Sequence, residues 1–177
     1  MKNFFPDNFF KTIYDIDYQQ LKDKGYTTLF FDLDNTLIPY DVEKLTEQVS
    51  ELFSKIARDF NILIITNNKQ ERTKRAVGSN INFLANAKKP FKKGYLKALD
   101  LMNCSSNHVV AIGDQLMTDV LGASKMGFYS ILVNPIDQNS EGLPTKINRF
   151  REKRVLKKLA KKYPTLFKAR LANFEVR

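Results

Sequence analysis

Two carboxylate side chains follow an apolar run near the start of the sequence. In FFDLDNTL, residues 30 to 37, Asp32 comes directly after two phenylalanines and Asp34 follows it with Leu33 between them. A carboxylate among apolar residues is costly to desolvate unless another group compensates its charge. Residues two apart in an extended segment share a face, so both carboxylates can project into the same space. The spacing therefore predicts a functional site at this point of the chain.

Polar residues also follow the later apolar runs. They are Thr66 and Asn67 after ILII, Lys88 and Lys89 after NFLANA, Asp114 after VVAIG, and Asp119 shortly beyond. In open α/β sheets, ligands bind outside the carboxyl ends of the strands. We therefore expect these side chains to gather at one edge of a sheet.

The residue types indicate the chemistry of that edge. Two unit charges about 4 Å apart repel by roughly 4 kcal/mol at an effective dielectric constant near 20, so converging aspartates require a cation. Oxygen ligands without a cysteine or histidine cluster favour Mg²⁺, the usual metal where phosphate is the substrate. Lys89 would add a fixed positive charge, and Thr66 and Asn67 would add neutral hydrogen-bond donors, so we expect these three residues to bind the substrate phosphate. This set is typical of a phosphoryl-transfer site.

Five short apolar runs, each of strand length, must position these residues. They are TTLFF at 27–31, ILIIT at 62–66, NFLANA at 82–87, VVAIG at 109–113 and YSILV at 129–133. The intervals between them have the 3.6-residue apolar spacing of amphipathic helices, clearest in residues 41–60. The central runs are continuously apolar, as strands buried on both faces are. The pattern predicts a doubly wound α/β fold with a mainly parallel, five-stranded sheet.

Four motifs resemble those of the haloacid dehalogenase (HAD) superfamily of phosphotransferases. They are DLDNTL, ITNN, AKKP and GDQLMTD, in that order and at strand ends. The phrases YDIDYQQLKDKGYTTLFFDLDNTLIPYD and AIGDQLMTD are closer still to the YqeG branch of subfamily IIIA, and the similarity covers most of residues 1–140. The resemblance implies a HAD-like Rossmannoid fold and a phosphatase. The YqeG branch in turn resembles the phosphatidylglycerophosphate phosphatases of phospholipid biosynthesis.

The same resemblance implies roles for individual residues. Asp32 would be the nucleophile that forms an aspartyl-phosphate, and Asp34 would be the general acid and then the general base. Thr66 would hold a phosphoryl oxygen, and Lys89 would stabilise the nucleophile and the transferring group, although Lys88 is an alternative. The Mg²⁺ ligands would be the Asp32 side chain, the Asp34 main-chain carbonyl and Asp114, and Asp119 would orient the metal shell or Lys89.

The gaps between motifs limit the domain organisation. Residues 36–62 hold about one helix and residues 68–88 one helix and a strand, which leaves no room for the cap domain that many HAD relatives insert. A capless site favours a bulky substrate such as a protein, a nucleic acid or a lipid head group. We expect a phosphatase domain over residues 1–142, with an aromatic-rich segment at 1–25 packed on it, and a basic helical extension over residues 143–177.

The charge of the chain lies in that extension. Residues 1–145 carry 17 basic and 17 acidic side chains, whereas residues 146–177 carry 12 basic and 2 acidic ones. Such a tail suggests an anionic partner such as a membrane phospholipid surface, RNA or an acidic protein. The alternative function is an RNA- or ribosome-associated factor whose phosphatase activity is secondary or lost. No run is long enough to span a bilayer and the N-terminus lacks an uninterrupted apolar signal region, so we expect a cytoplasmic protein, peripheral at the membrane if the tail binds lipid.

Overall fold

The chain folds into a parallel sheet covered by helices on both faces. The computed structural model describes residues 1–78 and 80–175. In chain order the elements are β1 (Asn8–Phe10), α1 (Tyr18–Asp23), β2 (Thr28–Phe31), α2 (Glu47–Ile56), β3 (Asn61–Ile65), α3 (Gln70–Val77), β4 (Asn82–Leu84), α4 (Lys92–Met102), β5 (Val109–Gly113), α5 (Leu121–Met126), β6 (Tyr129–Val133), α6 (Leu143–Lys162) and α7 (Pro164–Arg170). The strand order among these residues is β1-β6-β5-β2-β3-β4, and every pairing is parallel. The predicted doubly wound α/β class is confirmed.

Strand β2 lies at the centre of the sheet and is buried along its whole length. Its residues pair with β3 on one side and β5 on the other, so that Phe31 lies between Ile64 and Ile112. The chain leaves β2 toward β3 but leaves β5 toward β6, in opposite directions across the sheet. The strand order therefore reverses between β2 and β5, which is where such folds place their ligands.

Apolar side chains of the strands divide between two helical layers. One face packs against α1, α2 and α3, and the other packs against α4 and α5. Neighbouring residues of β2 show the division, because Phe31 contacts Phe53 of α2 whereas Phe30 contacts Phe128 beyond α5. Burial on both faces explains why the central strands are continuously apolar.

The predicted number of strands was one too few. Asn8–Phe10 forms a sixth strand, β1, at the edge of the sheet beside β6. It has only three residues, and its half-buried aromatic side chains do not form the continuous apolar run that marks the other strands. Phe10 packs toward the α1–α3 face and Phe9 toward the opposite face. The aromatic N-terminal segment thus completes the sheet.

The C-terminal helices share a core with the rest of the chain. Leu159 of α6, together with Leu171 and Phe174, is buried against Phe5 and Leu132. Val176 and Arg177, the end of the predicted extension, lie outside the described residues. None of the helices in the described part of the chain combines the length and the apolar character needed to cross a membrane.

The described chain between β2 and β3 holds one helix, α2, and the described chain between β3 and β4 holds one helix, α3. Neither connection adds a cap domain above the carboxyl ends of the strands in the described residues. The predicted capless architecture agrees with this arrangement, although α6 lies beside the same edge.

Candidate active site

Two ion pairs to one lysine join residues from three strand ends. Lys89 Nζ lies 2.7 Å from Asp32 Oδ1 and 2.6 Å from Asp119 Oδ1, and all three side chains are buried. Carboxylate oxygens of Asp32, Asp114 and Asp119 lie within 4.8 Å of one another. The structure therefore brings together four residues, Asp32, Lys89, Asp114 and Asp119, that the sequence placed after three different strands.

The backbone at the β2–β5 junction fixes this cluster. The Asp32 amide donates a hydrogen bond to the Ile112 carbonyl of β5 at 2.9 Å, which extends the sheet by one residue and aims Asp32 beyond its edge. Asp119 sits on a π-helical turn, Leu116–Val120, that folds back toward β5. A Cβ atom at Gly113 would collide with the Asp119 carboxylate, so this close approach requires glycine.

Burial and neighbouring charges act in opposite directions on these carboxylates. Burial raises the pKa of Asp32 well above its usual range, and the carboxylates of Asp119, Asp114 and Asp34 raise it further, while Lys89 lowers it. Burial also raises the pKa of Asp114 to about 6, against the lowering effect of Arg149. The Lys89 pKa is raised despite burial, because Asp119 and Asp32 stabilise the ammonium ion.

The geometry distinguishes the two adjacent lysines. Lys89 is buried in the cluster, whereas Lys88 is exposed and has a left-handed backbone conformation. The Asn67 carboxamide holds the Lys89 main chain from both sides: its Oδ1 accepts from the Lys89 amide at 2.6 Å and its Nδ2 donates to the Lys89 carbonyl at 3.0 Å. Asn67 was predicted to bind phosphate, but its side chain is engaged in positioning Lys89.

Asp34 lies apart from the metal-type cluster. Its Oδ2 accepts a hydrogen bond from Asn68 at 3.1 Å, and its Oδ1 pairs with Arg72 of α3 at 3.2 Å. Burial raises the pKa of Asp34, and the contacts with Asn68 and Arg72 oppose the rise. Thr66 is buried beside it. Its Oγ1 accepts from the Asn68 amide at 3.1 Å and donates to Asp34 Oδ2 at 3.5 Å. Of the predicted metal ligands, Asp34 alone has a side chain outside the carboxylate cluster.

Arg149 of α6 connects the C-terminal helix to the site, and sequence reasoning did not find it. Its guanidinium binds the Asp114 carboxylate and donates to the Asp114 carbonyl at 2.9 Å. It also pairs with Glu141 at 2.7 Å and with Glu152 at 2.9 Å. Arg149 and its three acidic partners are all buried. A fork of five N–H donors suits Arg149 for holding several carboxylates at fixed angles.

The acidic partners of Arg149 reach the neighbouring site loops. Glu152 accepts hydrogen bonds from the amides of Leu116 and Met117, at 2.5 Å and 3.3 Å, at the start of the π-helical turn that carries Asp119. Glu141 accepts a hydrogen bond at 2.9 Å from Nδ2 of Asn35, the residue directly after Asp34 in sequence. The sequence did contain a signal: Glu152 is one of two acids in a segment with 12 basic residues, and it lies three positions after Arg149.

A cleft of about 290 Å³ opens over the cluster. Its floor contains Asp32, Asp34, Thr66 and Lys89. Its rim comes from several segments: Tyr40 after β2, Asn67, Asn68 and Lys69 before α3, Gln115 and Thr118 near the π-helical turn, and Pro144, Thr145 and Asn148 of α6. The N-terminal half of α6 is therefore one wall of the cleft.

Comparison with known sequences identifies the family. The family model described as "Mitochondrial PGP phosphatase" matches residues 1–136. A protein of Bacillus subtilis (strain 168), named "Probable phosphatase YqeG", is 36% identical over 163 residues, which are 91% of this chain and 94% of that protein. Because the match leaves only about 9% of this chain uncovered, it extends beyond the four motifs into α6.

Solved structures support the fold. An uncharacterized protein from Listeria monocytogenes serotype 4b superposes with a TM-score of 0.51 at 18% identity, covering 67% of this chain and 88% of the other. The HAD-hydrolase YfnB from Bacillus subtilis, solved bound to magnesium, gives a TM-score of 0.50 at 14% identity and covers 60% and 88%. These structures show a HAD-like fold, and the family model and the Bacillus subtilis sequence relative show that the chain belongs to the PGP phosphatase family and is a YqeG-type phosphatase.

Proposed function

We propose that the protein is a Mg²⁺-dependent phosphomonoester hydrolase that forms an aspartyl-phosphate on Asp32. The observation that carries this proposal is the buried arrangement of Asp32 and Asp119 on Lys89, with Asp34 two residues further along the same strand end. Phosphoryl transfer depends mainly on positioning and charge neutralisation, and this arrangement supplies both.

The donor set fits a divalent cation. The described chain buries more acidic than basic side chains at this edge of the sheet: Asp32, Asp114, Asp119, Glu141 and Glu152 against Lys89 and Arg149. Asp32, Asp114 and Asp119 offer carboxylate oxygens, which suit the hard ion Mg²⁺. Asp32, Asp114 and the Asp34 carbonyl would hold the ion, with Asp119 beside them. When bound, the ion would neutralise charge on the phosphoryl oxygens and favour the ionised form of Asp32.

The chain's own residues divide the reaction into two displacements. An Asp32 carboxylate oxygen attacks phosphorus as the P–O ester bond breaks, and the leaving oxygen takes a proton from Asp34. Asp34 then takes a proton from water as that water attacks the acyl phosphate, which returns the electron pair to Asp32 and releases inorganic phosphate. The raised pKa of Asp34 supports this role, because a general acid must hold its proton near the working pH.

Lys89 and Thr66 would act on the phosphoryl group. The Lys89 ammonium stays charged and is fixed by Asp119 and by the Asn67 contacts, so it can offset charge without reorganising. The Thr66 hydroxyl oxygen accepts from the Asn68 amide, and its proton, which makes a long 3.5 Å contact with Asp34 Oδ2, would turn to a phosphoryl oxygen when substrate binds.

We propose phosphatidylglycerophosphate as the substrate. The description of the matching family supports this assignment, and the absence of a cap among the described residues is compatible with a substrate anchored in a bilayer. This lipid carries a phosphodiester as well as the scissile phosphomonoester. Lys69, exposed at the cleft rim, supplies a cation for that second phosphate.

The test is phosphate release from phosphatidylglycerophosphate in mixed vesicles and from soluble phosphomonoesters, with Mg²⁺ or a chelator. We expect Mg²⁺-dependent release that prefers the lipid and disappears in Asp32→Asn. Release from soluble esters alone would retain the phosphatase but contradict the lipid assignment. Release that persists in Asp32→Asn would contradict the proposed nucleophile.

A further inference from the structure

An apolar stripe is exposed on the N-terminal half of α6. Leu143, Ile147 and Phe150 are 73%, 47% and 56% exposed. Spacings of four and three residues place them on the same face of the helix. The opposite face of the helix packs against the rest of the protein, since Arg149, Glu152 and Leu159 are buried.

The stripe belongs to the helix that forms one wall of the cleft. Pro144, Thr145 and Asn148 alternate with its residues in the same helical turns, and these three line the cleft. The side chain of Asn148 reaches Gln115 near the Asp119 turn, at 3.4 Å. The helical spacing puts these lining residues on a different face of α6 from the stripe, so a surface that contacted the stripe would stand within about one helix diameter, roughly 10 Å, of the cleft.

Basic side chains flank the stripe. Lys146, Arg151, Lys153 and Arg154 are exposed, and the Arg154 guanidinium lies 4.4 Å from the centre of the Phe150 ring. The single acid of α6, Glu152, is buried against Arg149 and the Leu116 amide. The exposed face of α6 thus combines apolar residues near the cleft with an unopposed positive charge.

We propose that this α6 surface docks on an anionic phospholipid bilayer and so presents the cleft to lipid headgroups. Leu143, Ile147 and Phe150 would enter the interfacial region while the flanking basic residues contact headgroup phosphates. The stripe favours lipid over nucleic acid because two of its three residues are aliphatic and offer no ring for base stacking. The link between docking and catalysis rests on the proposed lipid substrate, but the docking itself does not.

The test measures binding separately from turnover. Asp32→Asn protein is sedimented with vesicles of phosphatidylcholine alone or of equimolar phosphatidylcholine and phosphatidylglycerol. The stripe variant, Leu143→Ser/Ile147→Ser/Phe150→Ser, is compared with a matched control on α4, Leu96→Ser/Leu101→Ser, whose side chains are each 55% exposed. A charge variant, Lys146→Gln/Arg151→Gln/Lys153→Gln, is compared with Lys92→Gln/Lys93→Gln/Lys97→Gln on α4.

We expect binding that requires phosphatidylglycerol and falls by about tenfold or more in the stripe variant and in the charge variant, with the α4 controls unchanged. Equal binding of the stripe variant and its control would overturn the proposal. Salt-sensitive RNA binding that is lost in the charge variant but kept in the stripe variant would also overturn it. The same substitutions are also made in protein that retains Asp32. Its turnover of a soluble ester tests the proposed function separately from vesicle binding.

Discussion

Arg149 and Asp114 form a buried ion pair that joins the C-terminal helix α6 to the end of the central strand pair. The same guanidinium also binds the Asp114 carbonyl, Glu141 and Glu152. A group with these contacts fixes one face of the metal-type cluster and the start of the turn that carries Asp119. The C-terminal helix is thus part of the site's framework as well as a wall of the cleft.

Removal of Arg149 should therefore affect both stability and activity. Arg149→Met would leave three buried carboxylates without their partner, and we expect a loss of roughly 3–5 kcal/mol in the free energy of unfolding. Arg149→Lys retains the charge but cannot form the fork of hydrogen bonds, so we expect a smaller loss of stability and a lower kcat. Urea unfolding and turnover of a soluble ester measure the two effects. Wild-type stability in Arg149→Met would contradict the proposed role.

Glu152 should make the stability of the metal-free protein depend on pH. Burial raises its pKa from 4.5 to about 7, so the folded state keeps a proton that the unfolded state releases between these values. The free energy of unfolding should then fall as the pH rises through that window, and Asp114 acts in the same direction. In Glu152→Gln we expect a shallower fall, measured by urea unfolding in chelator from pH 4 to 8.

The exposed Glu51→Gln on α2 is the control for removing one carboxylate from the chain. A slope in Glu152→Gln that equals the slope in wild type and in this control would contradict the assignment to Glu152.

Asp34 should be needed most where the leaving group is poor. Asp34→Asn removes the proton donor, and we expect kcat to fall by about 10²–10⁴-fold for an alkyl phosphate. The loss in the first displacement should be smaller for p-nitrophenyl phosphate, since that leaving group departs without a proton. Single-turnover kinetics on both esters measures the difference. Equal losses in the first displacement would indicate that Asp34 is not the acid.

Lys89 and Lys88 should behave differently although they are neighbours. Lys89→Met leaves Asp32 and Asp119 unpaired in a buried site, and we expect loss of turnover. Lys88 is exposed, and we expect Lys88→Met to keep the wild-type rate. Circular dichroism of Lys89→Met checks that the fold persists. A large loss in Lys88→Met would reverse the assignment of the active-site lysine.

The fold and the strand-end residues could be predicted from local sequence pattern. Continuous apolar runs such as ILII and VVAIG marked buried parallel strands, and Thr66 and Asp114 follow them as expected. Strand β1 was missed because an edge strand of three residues has no such pattern, and its pairing with β6 joins residues more than 120 positions apart.

Long-range pairing also hid Arg149. In sequence it is one basic residue in a basic helix, which is typical of a solvated face, and its partner Asp114 lies 35 positions away. Arg72 was missed for the same reason, since it reaches Asp34 across 38 positions. Sequence pattern identifies the end of a strand, but it does not identify which distant side chain closes over that end.

The central claim is that Asp32 carries the phosphoryl group. The most direct measurement is acid-quenched turnover of a ³²P-labelled phosphomonoester with Mg²⁺, followed by peptide mapping of the labelled protein. Asp34→Asn protein should slow breakdown of the acyl phosphate, so the activated p-nitrophenyl ester is used to form it. We predict hydroxylamine-sensitive label on the peptide containing Asp32 and none in Asp32→Asn. Label on another residue would contradict the account. So would the absence of any label in Asp34→Asn when the wild-type protein turns the ester over.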